Sequence, residues 1–134
     1  MIEFEVAGPY GLKGSTMSFM DRRGRVVTKT DSKYGASFAA AVRYAALAAG
    51  ATVIPKGSGV RIEARYGFLR PKGKQFERGE PCIRPDADKL GRALLDALSG
   101  VAYFDDGQVV DLHICKQYGD RFCVVVKVER STAV

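Results

Sequence analysis

The sequence predicts a single small α/β (α+β) domain, in which a mixed β-sheet packs against two main helices. The length of 134 residues suits one domain, and 46% apolar residues are enough to form a hydrophobic core. Segments with apolar residues at every second position alternate with two segments of helical periodicity. No internal repeat or linker interrupts this order, so residues 1–134 are expected to form one domain.

Alternating segments of the sequence have the pattern of half-buried strands. In the clearest of them, Arg61, Glu63 and Arg65 alternate with apolar residues. The predicted strands comprise residues 2–7, 15–20, 25–30, 60–68, 110–114 and 122–128. The second and third are expected to form a hairpin around residues 21–24, and residues 117–120 are expected to connect the last two strands.

Two further segments have the periodicity of helices. Residues 36–49 are rich in alanine, with Asp31 or Ser32 available to cap the start and Gly50 suited to the end. Residues 87–99 carry leucine and alanine at i, i+3 and i+4 spacing, and a glycine follows them. Both segments are therefore expected to pack an apolar face against the sheet.

The charge of the chain is unevenly distributed. The formal net charge is +6 and the sequence pI is about 9.4. Residues 1–80 carry 14 basic and 7 acidic side chains, whereas residues 81–134 carry 7 basic and 8 acidic ones. A basic surface favours a polyanionic partner such as nucleic acid, because phosphate contacts release counterions.

Several classes of site are excluded by scarce residue types. With one histidine and three cysteines that lack CxxC spacing, neither a zinc site nor a disulfide framework is predicted. The cysteines are instead expected to be small buried residues of a protein in a reducing compartment. No apolar run approaches the about 20 residues of a membrane span. The acidic, alternating start is unlike a signal peptide, so a cytoplasmic protein without membrane contact is expected.

Aspartates gather in two places that the predicted fold can bring together. Asp86 and Asp88 lie where an extended segment enters the second helix, and Asp106 begins the strand that runs back along the sheet. Three converging carboxylates repel one another and require a cation, and oxygen ligands favour Mg²⁺ or Mn²⁺. The alternatives are an exposed Asp88–Arg92 ion pair, a helix cap at Asp86 and a simple turn at residues 105–107.

These residues resemble a known family. Residues 84–90 (RPDADKL), the sequence LDALSG that follows, and residues 103–110 (YFDDGQVV) are similar to the RusA family of Holliday junction resolvases. The similarity is close over about residues 84–116. Upstream it extends only to an outline of a Gly/Pro loop with a lysine, a basic hairpin and an alanine-rich helix.

The resemblance implies a Mg²⁺-dependent endodeoxyribonuclease that acts as a homodimer of small α/β subunits and cuts four-way DNA junctions by symmetric nicks. Such proteins are often encoded by phages and prophages. The acidic catalytic residues of the family fall on Asp86, Asp88 and Asp106. The catalytic lysine of the family falls on Arg92, which is a departure, because arginine stays protonated and cannot act as a base. Lys89 stands where the family usually has asparagine and can share that role.

The hypothesis is therefore that Asp86, Asp88 and Asp106 bind Mg²⁺, while Arg92 and Lys89 stabilise the phosphate that is attacked. Candidate contacts to the DNA backbone are basic residues of the first half of the chain and its loops, namely Lys13, Arg22, Arg23, Arg25, Arg70, Lys72 and Lys74. Two alternatives remain open: a DNA-binding protein without catalytic activity, and a metal-dependent phosphoesterase that acts on small phosphates.

Overall fold

The computed structural model describes residues 1–8, 10, 16–20, 23, 26–30 and 35–131. The strands within these residues are β1 (Ile2–Ala7), β2 (Thr16–Met20), β3 (Val26–Thr30), β4 (Val60–Leu69), β5 (Val109–Gly119) and β6 (Cys123–Arg130). The helices are α1 (Gly35–Ala48) and α2 (Ala87–Leu98). Short 3₁₀ turns span Lys74–Phe76 and Asp106–Gln108.

Four of the strands form one mixed sheet in the order β1-β6-β4-β5. β6 pairs antiparallel with both β1 and β4, whereas β4 pairs parallel with β5. A parallel pair needs a crossover connection, and here α2 lies in the connection between β4 and β5. β2 and β3 form a separate antiparallel pair. The predicted class, a mixed sheet with two helices, is confirmed.

The core lies between one face of the sheet and the two helices. Strand residues that alternate along β4 and β6, such as Tyr66 and Val126, are fully buried against helical residues such as Val42 and Leu94. Side chains at the intervening positions of these strands point to the other face, which is polar. Burial of one face fixes the register of the strands, because a shift by one residue would expose the core.

Close packing of α2 on the edge strand depends on a glycine. A Cβ atom added at Gly91 would lie 3.3 Å from the Ile114 Cγ1 atom, which is tighter than ordinary van der Waals contact. The two helices are also joined directly, because the Arg43 Nε atom donates a hydrogen bond to the Ala97 carbonyl at 3.1 Å. A cation at the carboxyl end of a helix is favoured by the helix dipole. α2 is thereby fixed on both sides.

Most of the predicted elements are confirmed, and two expectations are wrong. The hairpin pairs as expected, although most of its turn and the residues expected to cap α1, Asp31 and Ser32, lie outside the described residues. Residues 117–119 continue β5 instead of forming a connection, because they pair with residues 67–69 of β4. The cysteines are free, but they are exposed or half-buried and not part of the core.

Neither helix of the described part of the chain has the length and apolar character needed to span a membrane.

Candidate nuclease site

Asp86 and Asp88 lie at the amino end of α2. Asp86 is the residue that precedes the helix, but its side chain makes no capping hydrogen bond. Both carboxylates are exposed to solvent. The segment before them is held to the sheet by Lys116, whose Nζ atom donates to the carbonyl oxygens of Ile83 at 2.7 Å and Pro85 at 2.8 Å. The helix dipole favours negative charge at this end, so these carboxylates are tolerated without an internal partner.

Arg92 and Lys89 follow within the next turns of the same helix. Arg92 is exposed and Lys89 is half-buried. No ion pair between Asp88 and Arg92 is present in the described structure, and neither side chain has another polar partner there. The alternative interpretation of these two residues as a surface ion pair is therefore not supported, and both charges are available to a ligand.

Asp106 lies in the 3₁₀ turn before β5 and contacts a different part of α2. Its Oδ1 atom is 3.3 Å from the hydroxyl oxygen of the buried Tyr103, which also donates to the Leu95 carbonyl at 2.7 Å. The carboxyl group of Asp96 lies nearby. Burial and the nearby carboxylates of Asp96 and Asp105 raise the pKa of Asp106, and the hydrogen bond from Tyr103 partly opposes this.

The two groups of aspartates lie at opposite ends of α2 within one chain. Asp88 and Asp96 are eight residues apart on the helix, which corresponds to about 12 Å along its axis. The sheet also separates the two groups. Val109 follows the Asp106 turn and Lys116 donates to the Pro85 carbonyl, and β5 rises about 23 Å between these two residues. Accordingly, the described residues contain no group of three or more acidic, histidine or cysteine side chains that could hold a metal ion.

The turn that carries Asp106 is held by Gln108. The Gln108 Oε1 atom accepts hydrogen bonds from the backbone nitrogens of Phe104 at 2.8 Å and Asp105 at 3.1 Å. The Gln108 Nε2 atom contacts three carbonyl oxygens of the loop after α1, at Ile54, Pro55 and Ser58. The expected turn at residues 105–107 is present, and the Gln108 backbone nitrogen donates to the Asp105 carbonyl at 3.0 Å.

The basic residues predicted to contact DNA have different surroundings. Arg70 stacks on the Tyr118 ring at 4.3 Å and donates to the Phe76 carbonyl at 2.5 Å, so it organises its own loop. Lys72 and Lys74 are exposed in that loop and have no polar partner within the described part of the chain. Arg23 is exposed in the hairpin turn. Three residues lie outside the described ranges, namely Lys13, Arg22 and Arg25.

Residues 13–129 match the family model described as endodeoxyribonuclease RusA. This match covers most of the chain. The chain belongs to the RusA family.

A similar curated protein is the uncharacterized protein YqaN of Bacillus subtilis (strain 168). It is 35% identical over 66 residues, which are 48% of this chain. The chain spans about half the length of this relative, because the aligned part is 46% of YqaN. The family assignment therefore depends on the RusA model and not on this relative.

Four residues of this RusA family member that position the aspartates were not among the predicted site residues. Asp96, Tyr103 and Gln108 surround Asp106, and Lys116 holds the segment before Asp86. Gln108 and Asp96 did lie in the sequences that carry the family resemblance. Tyr103 also lies in those sequences, and its partners Leu95 and Asp106 are only eight and three residues away. Nothing in the sequence marked Lys116, because its partners Ile83 and Pro85 are more than 30 residues away.

Proposed function

We propose that the protein is a Mg²⁺-dependent endodeoxyribonuclease that cuts Holliday junctions and other branched DNA by paired symmetric nicks. The observation that carries this proposal is the pair of exposed carboxylates, Asp86 and Asp88, at the amino end of α2 in a RusA family chain, for which the described residues supply no polar partner. Carboxylates that are neither neutralised nor buried are suited to binding a hard cation from solvent.

The chemistry of the acidic side chains fits Mg²⁺. Asp86, Asp88 and Asp106 would hold the metal, and all of them supply carboxylate oxygens. When bound, the metal would supply a water of lowered pKa and would offset charge on the scissile phosphate. Asp96 lies beside Asp106 and is suited to influence its position and charge.

The cations of α2 have a separate role in this proposal. Arg92 projects from the helix one turn beyond Asp88, where its guanidinium group can bind two phosphate oxygens. Lys89 can contribute a further positive charge on a neighbouring face of the helix. Neither residue is proposed as a general base. Arginine stays protonated, and the exposed carboxylates are better suited to accept a proton. Both residues instead stabilise the negative charge that develops on the phosphate.

The separation of the two acidic groups supports a homodimer with composite sites. β5 is an edge strand of the described sheet, and exposed apolar side chains lie on it and just before it, at Phe104, Val110 and Leu112. Such an edge is suited to pair with a second copy. In a twofold dimer with antiparallel β5 strands, the Asp106 end of one protomer would face the Asp86 end of the other. Two equivalent sites would result, as two symmetric nicks require.

Cleavage of a synthetic four-way junction tests the activity. We expect the wild type to nick the junction only when Mg²⁺ is present, and Asp86→Asn to bind the junction without cutting it. If the wild type binds the junction but cuts it at no Mg²⁺ concentration, the result would favour the non-catalytic alternative. Hydrolysis of small phosphate esters with intact DNA would favour the phosphoesterase alternative. Binding should also weaken steeply with salt, because several phosphates are contacted.

Mixing two inactive variants tests the composite site. Asp86→Asn and Asp106→Asn are each expected to be inactive as homodimers. If each site combines the two protomers, a mixed dimer retains one intact site, and an equal mixture recovers about a quarter of the wild-type sites. The recovered activity should nick one strand only. If all three aspartates of a site belong to one protomer, no mixture recovers activity.

A further inference from the structure

An apolar cavity of about 370 Å³ opens at the carboxyl ends of β4 and β5. Its walls are mainly aromatic and aliphatic, and its lining includes Tyr10, Phe68, Ile83, Pro85, Tyr118 and Phe122. In open α/β sheets, ligands bind outside the carboxyl ends of the strands. The cavity is therefore at the end of the sheet where binding is expected, and on the same side as the amino end of α2.

The walls of this cavity are held in place by the core. The Tyr10 hydroxyl donates to the Gly67 carbonyl at 2.7 Å, and the ring meets Tyr66 edge to face at 5.0 Å between centroids. Phe68 and Phe122 are also in edge-to-face contact, at 6.0 Å. Phe122 nevertheless remains 41% exposed, so part of an aromatic side chain faces the opening. Preformed aromatic surface of this kind is suited to a flat, apolar ligand.

The charges at the rim indicate what the ligand is attached to. Arg84 lines the cavity, is exposed, and has no polar partner within the described residues. Pro85 lines the wall and is bonded directly to Asp86, so the cavity adjoins the proposed catalytic carboxylate. An unpaired guanidinium beside an aromatic cavity complements a ring that is linked to a phosphate. A purely apolar peptide would leave this charge without a partner.

We infer that the cavity binds a nucleobase that is unstacked from the DNA strand beside the scissile phosphate, an inference that depends on the proposed function. Bases next to a branch point have lost part of their stacking, so moving one into a protein site costs less than in intact duplex. Stacking and apolar contact tolerate every base, because each base has a π-face. The cavity would thus contribute to the selection of branched DNA over duplex DNA.

The test is a cycle that combines a protein variant with an altered DNA. Binding of four-way junctions is measured in EDTA, so that cleavage plays no part, with an abasic site placed in turn at each nucleotide that flanks the branch point. We expect Phe122→Ala to weaken binding of the intact junction about tenfold, since stacking on an aromatic ring contributes that order of affinity. At one position the abasic junction should bind the wild type equally weakly, and Phe122→Ala should then have no further effect.

Two other variants keep the result decisive. Tyr44→Ala removes a ring of α1 that is 77% exposed and does not line the cavity, and it should leave binding unchanged. Tyr118→Leu repeats the cycle without opening the Phe122 packing, should Phe122→Ala fail to fold. If the effects of Phe122→Ala and of the abasic site on binding add at every position, or if Tyr44→Ala weakens binding equally, the base site is overturned while the proposed function stands. A wild type that does not bind the junction overturns both the base site and the proposed function.

Discussion

Replacement of Gln108 by leucine is expected to destabilise the protein through the turn that carries Asp106. Leucine preserves the approximate volume of the side chain but can neither accept the two backbone hydrogen bonds from Phe104 and Asp105 nor donate to the loop after α1. The amide thus joins two segments that are distant in the chain, since Gln108 and Pro55 are 53 residues apart.

The expected loss follows from the hydrogen bonds that disappear. A neutral hydrogen bond contributes roughly 0.5–1.5 kcal/mol net, and Gln108 makes the equivalent of four, counting its two amide protons once each. Gln108 is half-buried, so water replaces part of what is lost. We therefore expect the free energy of unfolding to fall by about 2–3 kcal/mol, at the lower end of the simple sum.

Urea unfolding followed by circular dichroism measures this loss, with Gln117→Leu as the matched control. Gln117 is exposed on β5 and has no side-chain hydrogen bond within the described residues, so its replacement should change the free energy by less than about 0.5 kcal/mol. A Gln108→Leu variant as stable as Gln117→Leu would refute the structural role of the amide.

Three further predictions concern the thiol, the acidic turn and the core. Burial and the Glu5 carboxylate raise the pKa of Cys123 to about 11. Iodoacetamide should therefore modify this thiol slowly at pH 8, because the thiolate is the reactive form. Glu5→Gln should accelerate the modification, which mass spectrometry measures. Because the folded-state pKa of Asp106 is raised, its charged form destabilises the fold as the pH rises through that pKa. Asp106→Asn should therefore increase thermal stability at pH 7 in EDTA, with the gain disappearing in acid where the wild type is protonated. Unchanged stability at pH 7 would contradict the repulsion among these carboxylates. Leu94→Ala should lower the free energy of unfolding by about 2–5 kcal/mol, while exposed Leu47→Ala should cost far less; equal losses would contradict the assignment of the core.

The elements of the fold were largely predictable because each depends on local periodicity. Alternation in residues 60–68 reports a sheet with one buried face, and the strand found there is Val60–Leu69. The same periodicity predicts a strand only over residues 110–114, whereas β5 continues to Gly119. Its continuation contains Gly119 and polar residues that resemble a turn, and only pairing with β4 makes them a strand.

The candidate site was predictable in its parts but not in its arrangement. The spacing of Asp86 and Asp88 and the position of α2 after them follow from local rules about helix starts. The location of Asp106 depends on the position of β5 in the sheet, and local sequence patterns do not predict that position. It lies beside Asp96 at the far end of the helix, with Tyr103 between the turn and the helix. The predicted convergence of the three aspartates stays a prediction that requires a second copy of the chain.

The position of β6 has a consequence for how the protein forms during synthesis. β6 is the last strand in the sequence, yet it lies between β1 and β4 and is the only described strand that pairs with β1. The first strand therefore has no partner on the ribosome until residues 123–130 have left the exit tunnel. Pairing residues that are more than 100 positions apart is slow, and the unpaired segment is exposed to association with other chains in the meantime. Glu3 and Glu5 on that first strand add charge, which opposes such association before the sheet closes.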